Sequence, residues 1–571
     1  MTTYGIDFGT TNSALASCTN GSTSVIPIDS PPGEWLTEGF DKVLPSVIGI
    51  DAAGDWTFGW AAKQPGRRRL DAAKRLLATE DRIEVGAEEL FVEEAAGALF
   101  GRIRDGGTAA GVAFDQAVVT IPANSRGLAR YRTRICAGLA GIETLALLNE
   151  PTAAAMAYGA RLGDDDRILV VDLGGGTLDV TVLHAVGGVF MEQASDGIQR
   201  LGGVDFDQEI ARRVMDDIPA SNSWSKDLRQ EFLLDVELAK IRLSSRTEVA
   251  LPIPGGGTRT VTRDEVRGWL DPFVTRVEEP IRQALHRAGM TMNDVDHLLL
   301  VGGSCKMPAV AERIVELVRR DPAEGIDPMT AVAEGAAVAA AILRGEYDAS
   351  FYVTTEHALG TQVVDPDPGT SFSVIIPKTA TLPAREHNGY VPVVDFQENL
   401  HVVVIEGDER RALEDEVNVV LAEWSISIPT PRPKDEVSFD ISYEYDTDGI
   451  LHVTVVDEGT GDVIHAGDVG SVVGRSPQQL VDMHRHVDDM RTSAPPPPVR
   501  EVGGAADPSL PPEVAAALDR ARVRVMPMVA ESDAATVGDL ADALEAAAGT
   551  DGEADALEAL QSALRKWSFL F

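Results

Sequence analysis

The sequence predicts an α/β domain, followed by an antiparallel β-sandwich and a small helical C-terminal segment. Three observations carry this prediction. Up to about Gly345, short β-rich runs alternate with longer helical stretches, as in 117–121 followed by 125–140. From about Phe351 to Val473, apolar residues recur with a period of two, which is typical of half-buried strands. The last part is rich in Ala, Leu and Glu and predicts two or three helices.

Composition sets the boundaries between these parts. The chain has 571 residues, more than one hydrophobic core usually organises, so several folded units are expected. A capping box at Ser476 to Gln479, with Pro477 at the first helical position, predicts the start of a helix. The predicted organisation is an α/β domain at 1–346, a linker at 347–353, a β-sandwich at 354–475, a helix at 476–491, a Pro/Gly-rich linker at 492–512 and a helical segment at 513–571.

Charge and cysteine usage exclude several classes of protein. The chain carries 90 acidic against 50 basic residues, a formal net charge of -40, which would repel nucleic acid and anionic membranes. Cys18, Cys136 and Cys305 are far apart in sequence and form neither a CxxC pair nor a metal-ligand cluster, so no disulfide scaffold is expected. No signal peptide and no apolar run of membrane-spanning length is recognisable, and a cytoplasmic location is expected.

Two segments of the chain share one design. A short strand ends at Asp7 and is followed by Gly9, Thr10, Thr11 and Asn12, whose small side chains let backbone N–H groups and hydroxyls point at an anion. The second copy is an apolar strand ending at Asp172, then Gly174, Gly175, Gly176 and Thr177, then a strand that contains Asp179. The repetition indicates an internal duplication.

Two facing loops of this kind can hold a triphosphate and its Mg²⁺ without a lysine-based P-loop. Asp7 and Asp172 would approach the metal, and Mg²⁺ could be held through its bound waters. The alternative is a pair of unrelated tight turns. A third apolar strand runs into Gly302, Gly303 and Ser304, where glycines permit close approach of a base or ribose. Taken alone, this segment fits a plain strand-to-helix turn equally well.

Over roughly residues 4–490, the chain resembles the seventy-kilodalton heat-shock chaperones. The most specific stretch is 149–159, NEPTAAAMAYG, and 117–123 and 201–207 add to it. The resemblance implies a two-lobed actin-like (ribonuclease-H-like) ATPase domain followed by a β-sandwich peptide-binding domain. Such a protein would be a slow Mg-dependent ATP hydrolase, with ATP or ADP and Mg²⁺ as cofactors and K⁺ as a further candidate.

The implied function is that of an ATP-dependent molecular chaperone that binds extended hydrophobic segments of unfolded proteins, with ATP hydrolysis regulating affinity. A J-domain co-chaperone and a nucleotide-exchange factor are the implied partners. Two alternatives stay open. One is a nucleotide-binding scaffold of chaperone-like architecture that has lost allosteric cycling; the other is a filament-forming actin relative, for which the β-sandwich would have no use.

The resemblance also assigns roles to residues. Lys74 matches a catalytic lysine that would contact the γ-phosphate and the attacking water, although a solvated helix lysine is the ordinary alternative. The implied catalytic set is Lys74, Glu150, Asp172 and Thr177; the implied metal set is Asp7, Asp172 and Asp179; and the implied nucleotide contacts are Gly9, Thr10, Thr11, Asn12, Gly175, Gly176, Thr177, Glu237, Lys240, Ser244, Gly302, Gly303, Ser304 and Lys306.

Further positions match the parts of the family that couple its two domains. Pro122 and Arg130 match an interdomain switch, with a strand-end proline and a surface arginine as the alternatives. Tyr390, Leu400 and Val402 fall near the implied peptide cleft, and core packing accounts equally well for the last two.

The chain also departs from the family pattern. Ile241 and Lys306 stand where the family commonly sandwiches adenine between two arginines, so weaker or different base stacking is a hypothesis. In the linker at 347–353, which the resemblance implies to couple the two domains, aromatic residues replace the family's usual leucines.

Overall fold

The computed structural model describes residues 2–123, 125, 127–163, 165–346, 350–352, 355, 357–365, 369–378, 380–415, 418–446, 450–469 and 475–495, and much of 514–564. The chain divides into two compact units, Met1–Pro498 and Val499–Phe571. Cys18, Cys136 and Cys305 are buried free thiols. No helix among the described residues is both long and apolar enough to span a bilayer.

The α/β domain of the first unit alternates strands and helices. Its strands are β1 (Thr2–Phe8), β2 (Asn12–Thr19), β3 (Ser22–Ile26), β4 (Leu44–Pro45), β5 (Ile48–Ile50), β6 (Trp56–Phe58), β7 (Arg68–Leu70), β8 (Arg82–Val85), β9 (Glu88–Phe91), β10 (Gln116–Ile121), β11 (Glu143–Asn149), β12 (Asp165–Leu173), β13 (Leu178–Val186), β14 (Val189–Ile198), β15 (Glu248–Pro252), β16 (Thr258–Thr262), β17 (His297–Val301) and β18 (Ser350–Tyr352). Its helices are α1 (Gly33–Leu36), α2 (Gly59–Ala62), α3 (Ala73–Leu76), α4 (Val92–Ala109), α5 (Gly127–Leu139), α6 (Glu150–Tyr158), α7 (Gly203–Asp216), α8 (Lys226–Arg242), α9 (Arg263–Val274), α10 (Glu278–Arg287), α11 (Pro308–Val318) and α12 (Ala331–Leu343).

Two mixed sheets organise this domain, and four strands of each, β10-β1-β2-β3 and β17-β12-β13-β14, are arranged in the same way. The first runs β11-β10-β1-β2-β3, with β4 also paired to β2, and the second runs β17-β12-β13-β14-β18. The parallel pairs are β1 with β10 and β10 with β11 in the first sheet, and β12 with β17 and β14 with β18 in the second. An antiparallel meander follows, β1-β2-β3 in the first half and β12-β13-β14 in the second. This agreement matches the duplication that the repeated loop indicates.

Helix α12 packs against β1 and α6, and small residues make this packing possible. A Cβ at Gly5 would lie 2.2 Å from the backbone N of Ala337, and one at Gly335 would lie 1.6 Å from the carbonyl O of Ala153. Only glycine allows backbones to approach this closely. Thr3 Oγ1 also donates to the carbonyl O of Ala337 at 2.9 Å. The alanine-rich run is therefore a close-packed internal helix.

The β-domain consists of two antiparallel four-stranded sheets, ordered β20-β19-β22-β23 and β21-β24-β25-β26. Its strands are β19 (Ala358–Asp365), β20 (Gly369–Ile376), β21 (Ala384–Tyr390), β22 (Asn399–Gly407), β23 (Val419–Ser427), β24 (Phe439–Tyr445), β25 (Leu451–Asp457) and β26 (Asp462–Asp468). Buried residues alternate along β24 and β25, as the period of two predicts. Tyr443 is fully buried, and its hydroxyl donates to the carbonyl O of Gly360 at 2.9 Å.

The predicted linker lies partly outside the described residues, which omit 347–349 and 353. Its middle part is β18, which pairs in parallel with β14 through Val189 with Ser350 and Met191 with Tyr352. These three linker residues therefore form an edge strand of the second sheet rather than an unpaired connection.

Helix α13 (Pro477–Ser493) begins at the predicted capping box, in which Ser476 Oγ accepts from Gln479 N at 3.2 Å. It packs on α4 and α5, with Met483, Val487 and Met490 at most 2% exposed. The hydrophobic core of the first half therefore includes a helix that follows the β-domain in sequence.

Ion pairs fix both ends of α13. Before its first turn, Arg475 contacts Asp81 at 2.5 Å and Glu93 at 3.1 Å, and near its last turn Arg491 contacts Asp105 at 2.6 Å.

The second unit is helical. Its described helices are α14 (Glu531–Ala547) and α15 (Glu553–Leu564). They share a small apolar core that includes Val537, Leu544 and Leu560. Most of the predicted Pro/Gly-rich linker, 496–512, lies outside the described residues.

Candidate nucleotide site

The two glycine-containing loops meet face to face between the two halves of the α/β domain. The first loop (residues 9–12) connects β1 to β2, and the second loop (residues 174–177) connects β12 to β13. A Cβ at Gly175 would lie 1.7 Å from Thr11 Oγ1, and one at Gly176 would lie 2.7 Å from Thr10 Oγ1. Any larger side chain at these two positions would push the loops apart.

Three successive carbonyl groups of the second loop accept from backbone N–H groups at or just before the start of α7. Gly174 O accepts from Gly203 N at 3.0 Å, Gly175 O from Val204 N at 2.9 Å, and Gly176 O from Leu201 N at 3.3 Å. In a trans peptide, the C=O of one residue and the N–H of the next point in opposite directions. The N–H groups of residues 175–177 therefore point away from α7, which is the arrangement that an anion requires.

The loops enclose an inner cavity of about 80 Å³, which is also lined by Asp7, Lys74, Glu150 and Asp172. Lys74 Nζ donates to Glu150 Oε1, and the two residues are only 9% and 8% exposed. Lys74 is therefore not a solvated helix lysine. It brings a buried positive charge to the edge of a cluster of carboxylates.

Burial and mutual repulsion perturb these carboxylates. Burial, together with the charge of Glu150, raises the pKa of Asp7 to about 7, although Lys74 and a 3.2 Å hydrogen bond from Thr120 Oγ1 oppose the shift. The pKa of Asp172 lies well above its usual range because of burial and the charges of Glu150, Asp179 and Asp7. Lys74 alone does not balance this negative charge, which a bound cation would neutralise.

The donor set around the inner cavity fits Mg²⁺ held through water. Thr11 Oγ1 and Asn12 Oδ1 are buried and have no hydrogen-bond partner among the described residues. Both residues line the cavity, and oxygen atoms are the ligands that Mg²⁺ prefers. Within the described part of the chain, however, no three His, Cys, Asp or Glu side chains form a direct metal-binding group. The metal roles of Asp7, Asp172 and Asp179 therefore stay predictions, with bound waters as the bridge.

An outer cleft of about 550 Å³ opens next to the inner cavity. It is lined by predicted nucleotide contacts from α8 and from the segment after β17, namely Glu237, Lys240, Ser244, Gly303, Ser304 and Lys306. Gly302 has φ +82°, and a Cβ there would lie 2.4 Å from the carbonyl O of Leu173, so the turn requires glycine. The three segments that the sequence singled out thus meet around two adjoining spaces.

The comparisons with known proteins agree with this architecture. The family model described as Hsp70 protein matches residues 78–492. The chaperone protein DnaK of Methanothermobacter thermautotrophicus is 32% identical over 481 residues, which cover 80% of this chain and 78% of that relative. The chain belongs to the Hsp70 family. It is therefore a member of a family of ATP-binding chaperones, whose ATPase domain has the actin-like fold.

In this Hsp70 chain, the predicted switch residues lie between the inner cavity and the β-domain. Pro122 lines the inner cavity, and Arg130 is a buried residue of α5 rather than a surface arginine. Arg130 Nη1 donates to Asn149 Oδ1 at 3.3 Å, one residue before Glu150. At the start of the same helix, Gly127 N donates to Glu406 Oε2 of the β-domain at 2.9 Å.

The predicted peptide-cleft residues are largely internal. Val402 is 1% and Leu400 9% exposed within the core, and Tyr390 is half-buried with its hydroxyl 3.0 Å from Ser373 Oγ. Exposed apolar side chains are found instead in the segment after β21, where Val393 and Phe396 are 57% and 61% exposed, and at Val364, Val420 and Val463. Core packing therefore accounts for Leu400 and Val402, and their role in a cleft stays a prediction.

Sequence reasoning missed Lys63, Asp207 and Asp327, each of which contacts a predicted residue of the outer cleft. Lys63 contacts Glu237 at 2.7 Å and lies 4.5 Å above the ring of Trp35. Lys240 contacts Asp207 at 2.9 Å, and Lys306 contacts Asp327 at 2.9 Å. Asp207 stands in the segment 201–207 that supports the family resemblance, so the sequence contained a signal for it. No motif pointed to Lys63.

Proposed function

We propose that this Hsp70-family protein is an ATP-dependent chaperone that binds extended hydrophobic segments of unfolded proteins. Slow Mg-dependent ATP hydrolysis regulates its affinity for them. The observation that carries the proposal is the buried Lys74–Glu150 pair beside two facing loops, which together offer a cation, a carboxylate and oriented N–H groups to a polyphosphate.

Each part of the site has a role in this proposal. The N–H groups of the second loop and the hydroxyls of Thr10, Thr11 and Thr177 bind phosphate oxygens. Lys74 stabilises charge on the γ-phosphate and positions the attacking water. Asp7 and Asp172 would hold Mg²⁺ through its bound waters, and the metal would supply positive charge to neutralise the phosphates. The protein contributes positioning and electrostatics without a covalent intermediate.

Direct contacts support coupling between the two domains. Glu406 of the β-domain bonds the first residue of α5, and α5 carries Arg130, which bonds Asn149. Asn149 precedes Glu150, the partner of Lys74. A change at the γ-phosphate can therefore reach the β-domain through a few bonded residues.

Partners follow from the proposed function. Unfolded or extended polypeptides would be the substrates, with a J-domain protein and a nucleotide-exchange factor as co-chaperones. The net charge of -40 disfavours nucleic acid and anionic membranes, in keeping with a proposed cytoplasmic location.

A nucleotide-binding scaffold without cycling is the second candidate, and specific observations favour it. Ile241 lines the outer cleft where the family commonly has an arginine, and Lys306 is engaged by Asp327. Both features weaken the case for ordinary stacking on adenine.

Release of a fluorescent hydrophobic peptide on addition of ATP separates the two candidates. The variants are Lys74→Ala and Thr177→Ala, with Lys226→Ala, an exposed lysine at the start of α8, as the matched control. For a chaperone, ATP accelerates release from the wild type and the control, and the two site variants alter that response. If the peptide binds but ATP does not change its rate of release, the protein is a nucleotide-binding scaffold.

A further inference from the structure

Arg75 directly follows Lys74 in the sequence, yet the two side chains line different cavities. The short helix α3 begins after Ala72, whose φ of +59° is left-handed. Lys74 lines the inner cavity, whereas Arg75 lines the outer cleft. Two adjacent residues of α3 thus place one basic side chain at the inner cavity and one at the outer cleft.

The guanidinium of Arg75 binds two groups on the opposite half of the domain. Arg75 Nη2 donates to the carbonyl O of Gly176, in the second loop. The same atom contacts Asp205 Oδ2, in the first turn of α7, at 3.0 Å. Arg75 Nε is buried and has no hydrogen-bond partner among the described residues. A side chain of the first half is thereby bonded to two elements of the second half, across the cleft.

The bond to Gly176 also affects the orientation of the loop. Gly176 O accepts from Leu201 N at 3.3 Å as well as from Arg75. The N–H of Thr177 belongs to the same peptide unit as that carbonyl, so fixing the oxygen fixes the direction of the N–H. The Leu201 bond lies within the second half, whereas the Arg75 bond exists only while the two halves are close together.

We propose that Arg75 is a positioning residue that latches the two halves of the domain over a bound nucleotide and thereby slows the release of ADP. The proposal rests on the proposed nucleotide-binding function and names a device that regulates that same site. Opening of the cleft requires Arg75 to leave both Gly176 and Asp205. Opening also frees the Gly176–Thr177 peptide to rotate, which couples release to loss of the phosphate-binding geometry.

The size of the effect follows from the kind of bond. Hydrogen bonds between a guanidinium and a carboxylate or carbonyl are stronger than neutral ones. Because Arg75 and Asp205 retain 21% and 20% side-chain exposure, solvent screens part of this gain. We expect loss of both bonds to accelerate ADP release about five- to thirty-fold.

The test measures dissociation of N-methylanthraniloyl-ADP from the full-length protein in the presence of Mg²⁺, chased with excess unlabelled ADP. The variants are Arg75→Gln, Asp205→Asn and the double variant. The matched control is Arg267→Gln, which removes an exposed ion pair with Glu312 far from the site. Arg75→Gln removes both bonds and should release ADP fastest among the single variants, whereas Asp205→Asn weakens only the ion pair and should have a smaller effect. The double variant should match Arg75→Gln, because Asp205→Asn affects only a bond that Arg75→Gln has already removed.

A role in fold stability alone would not produce two further results. Added salt should accelerate release from the wild type and leave Arg75→Gln nearly unaffected, because screening acts on the ion pair. Arg75→Lys should release at an intermediate rate, since it keeps the charge and loses the planar fork. If Arg75→Gln does not fold, Asp205→Asn and the salt dependence of the wild type decide.

The possible failures are distinguishable. A wild type that does not bind labelled ADP overturns the proposed nucleotide function, and the latch with it. A wild type that binds ADP but releases it no more slowly than Arg75→Gln and Asp205→Asn overturns the latch alone.

Discussion

Met483→Ala tests whether α13 belongs to the packing of the ATPase domain. Met483 is 2% exposed and contributes to the same buried cluster as Leu99 and Ile103 of α4. Truncation of a buried methionine to alanine costs about 2–5 kcal/mol, as lost transfer free energy plus the cavity left behind. We therefore expect the free energy of unfolding of the first unit to fall by that amount.

The assay is urea unfolding of the full-length protein, combined with hydrogen exchange of the amides of α4. Val481→Ala is the matched control, because Val481 lies on the same helix and is 51% exposed. The control should change stability by no more than about 0.5 kcal/mol. Equal losses in both variants, or unchanged exchange in α4 of Met483→Ala, would refute the assignment of α13 to this core.

Two further predictions concern the loops and the carboxylates. Gly175→Ala places a Cβ 1.7 Å from the present position of Thr11 Oγ1, so the loops must separate. Equilibrium titration with labelled ADP should show at least about a ten-fold loss of affinity; Gly138→Ala, with nothing within 4 Å, should bind like the wild type, and equal affinities would contradict the facing-loop geometry. The pKa of Asp7 is raised to about 7, so the folded protein without nucleotide or metal holds a proton that the unfolded chain releases near pH 4. The resulting stability is present below about pH 4 and is lost as the pH rises through about 7, by at most about 4 kcal/mol. Urea unfolding at pH 5 and pH 8 with a chelator should show a larger loss in the wild type than in Asp7→Asn, in which Asp172 still titrates, with a difference of at most about 3 kcal/mol over this range. An equal loss in both would exclude Asp7 as a source.

Local patterns predicted much of the architecture. The two loops were recognisable because an apolar strand, a terminal aspartate and a glycine turn lie within a dozen residues. The start of α13 was equally local, since Ser476 and Gln479 cap each other. A family resemblance then supplied Lys74 and Glu150, which no local pattern would have paired.

Contacts between distant parts of the chain were not predictable in this way. Lys63 and Glu237 are 174 positions apart, and Lys63 stands in no motif. The period of two in β22 showed that Leu400 and Val402 share a face, but not that the facing sheet covers it. Arg75 was overlooked because its partners, Gly176 and Asp205, become neighbours only when the two halves close on each other.

The β-domain is attached to the ATPase domain on both sides of its sequence. Before it, β18 pairs with β14 in the second half, and after it, α13 packs on α4 in the first half. The β-domain therefore connects the two halves of the ATPase domain a second time. A rotation of one half against the other moves β18 relative to α13, and it therefore acts on the β-domain from both ends of its sequence.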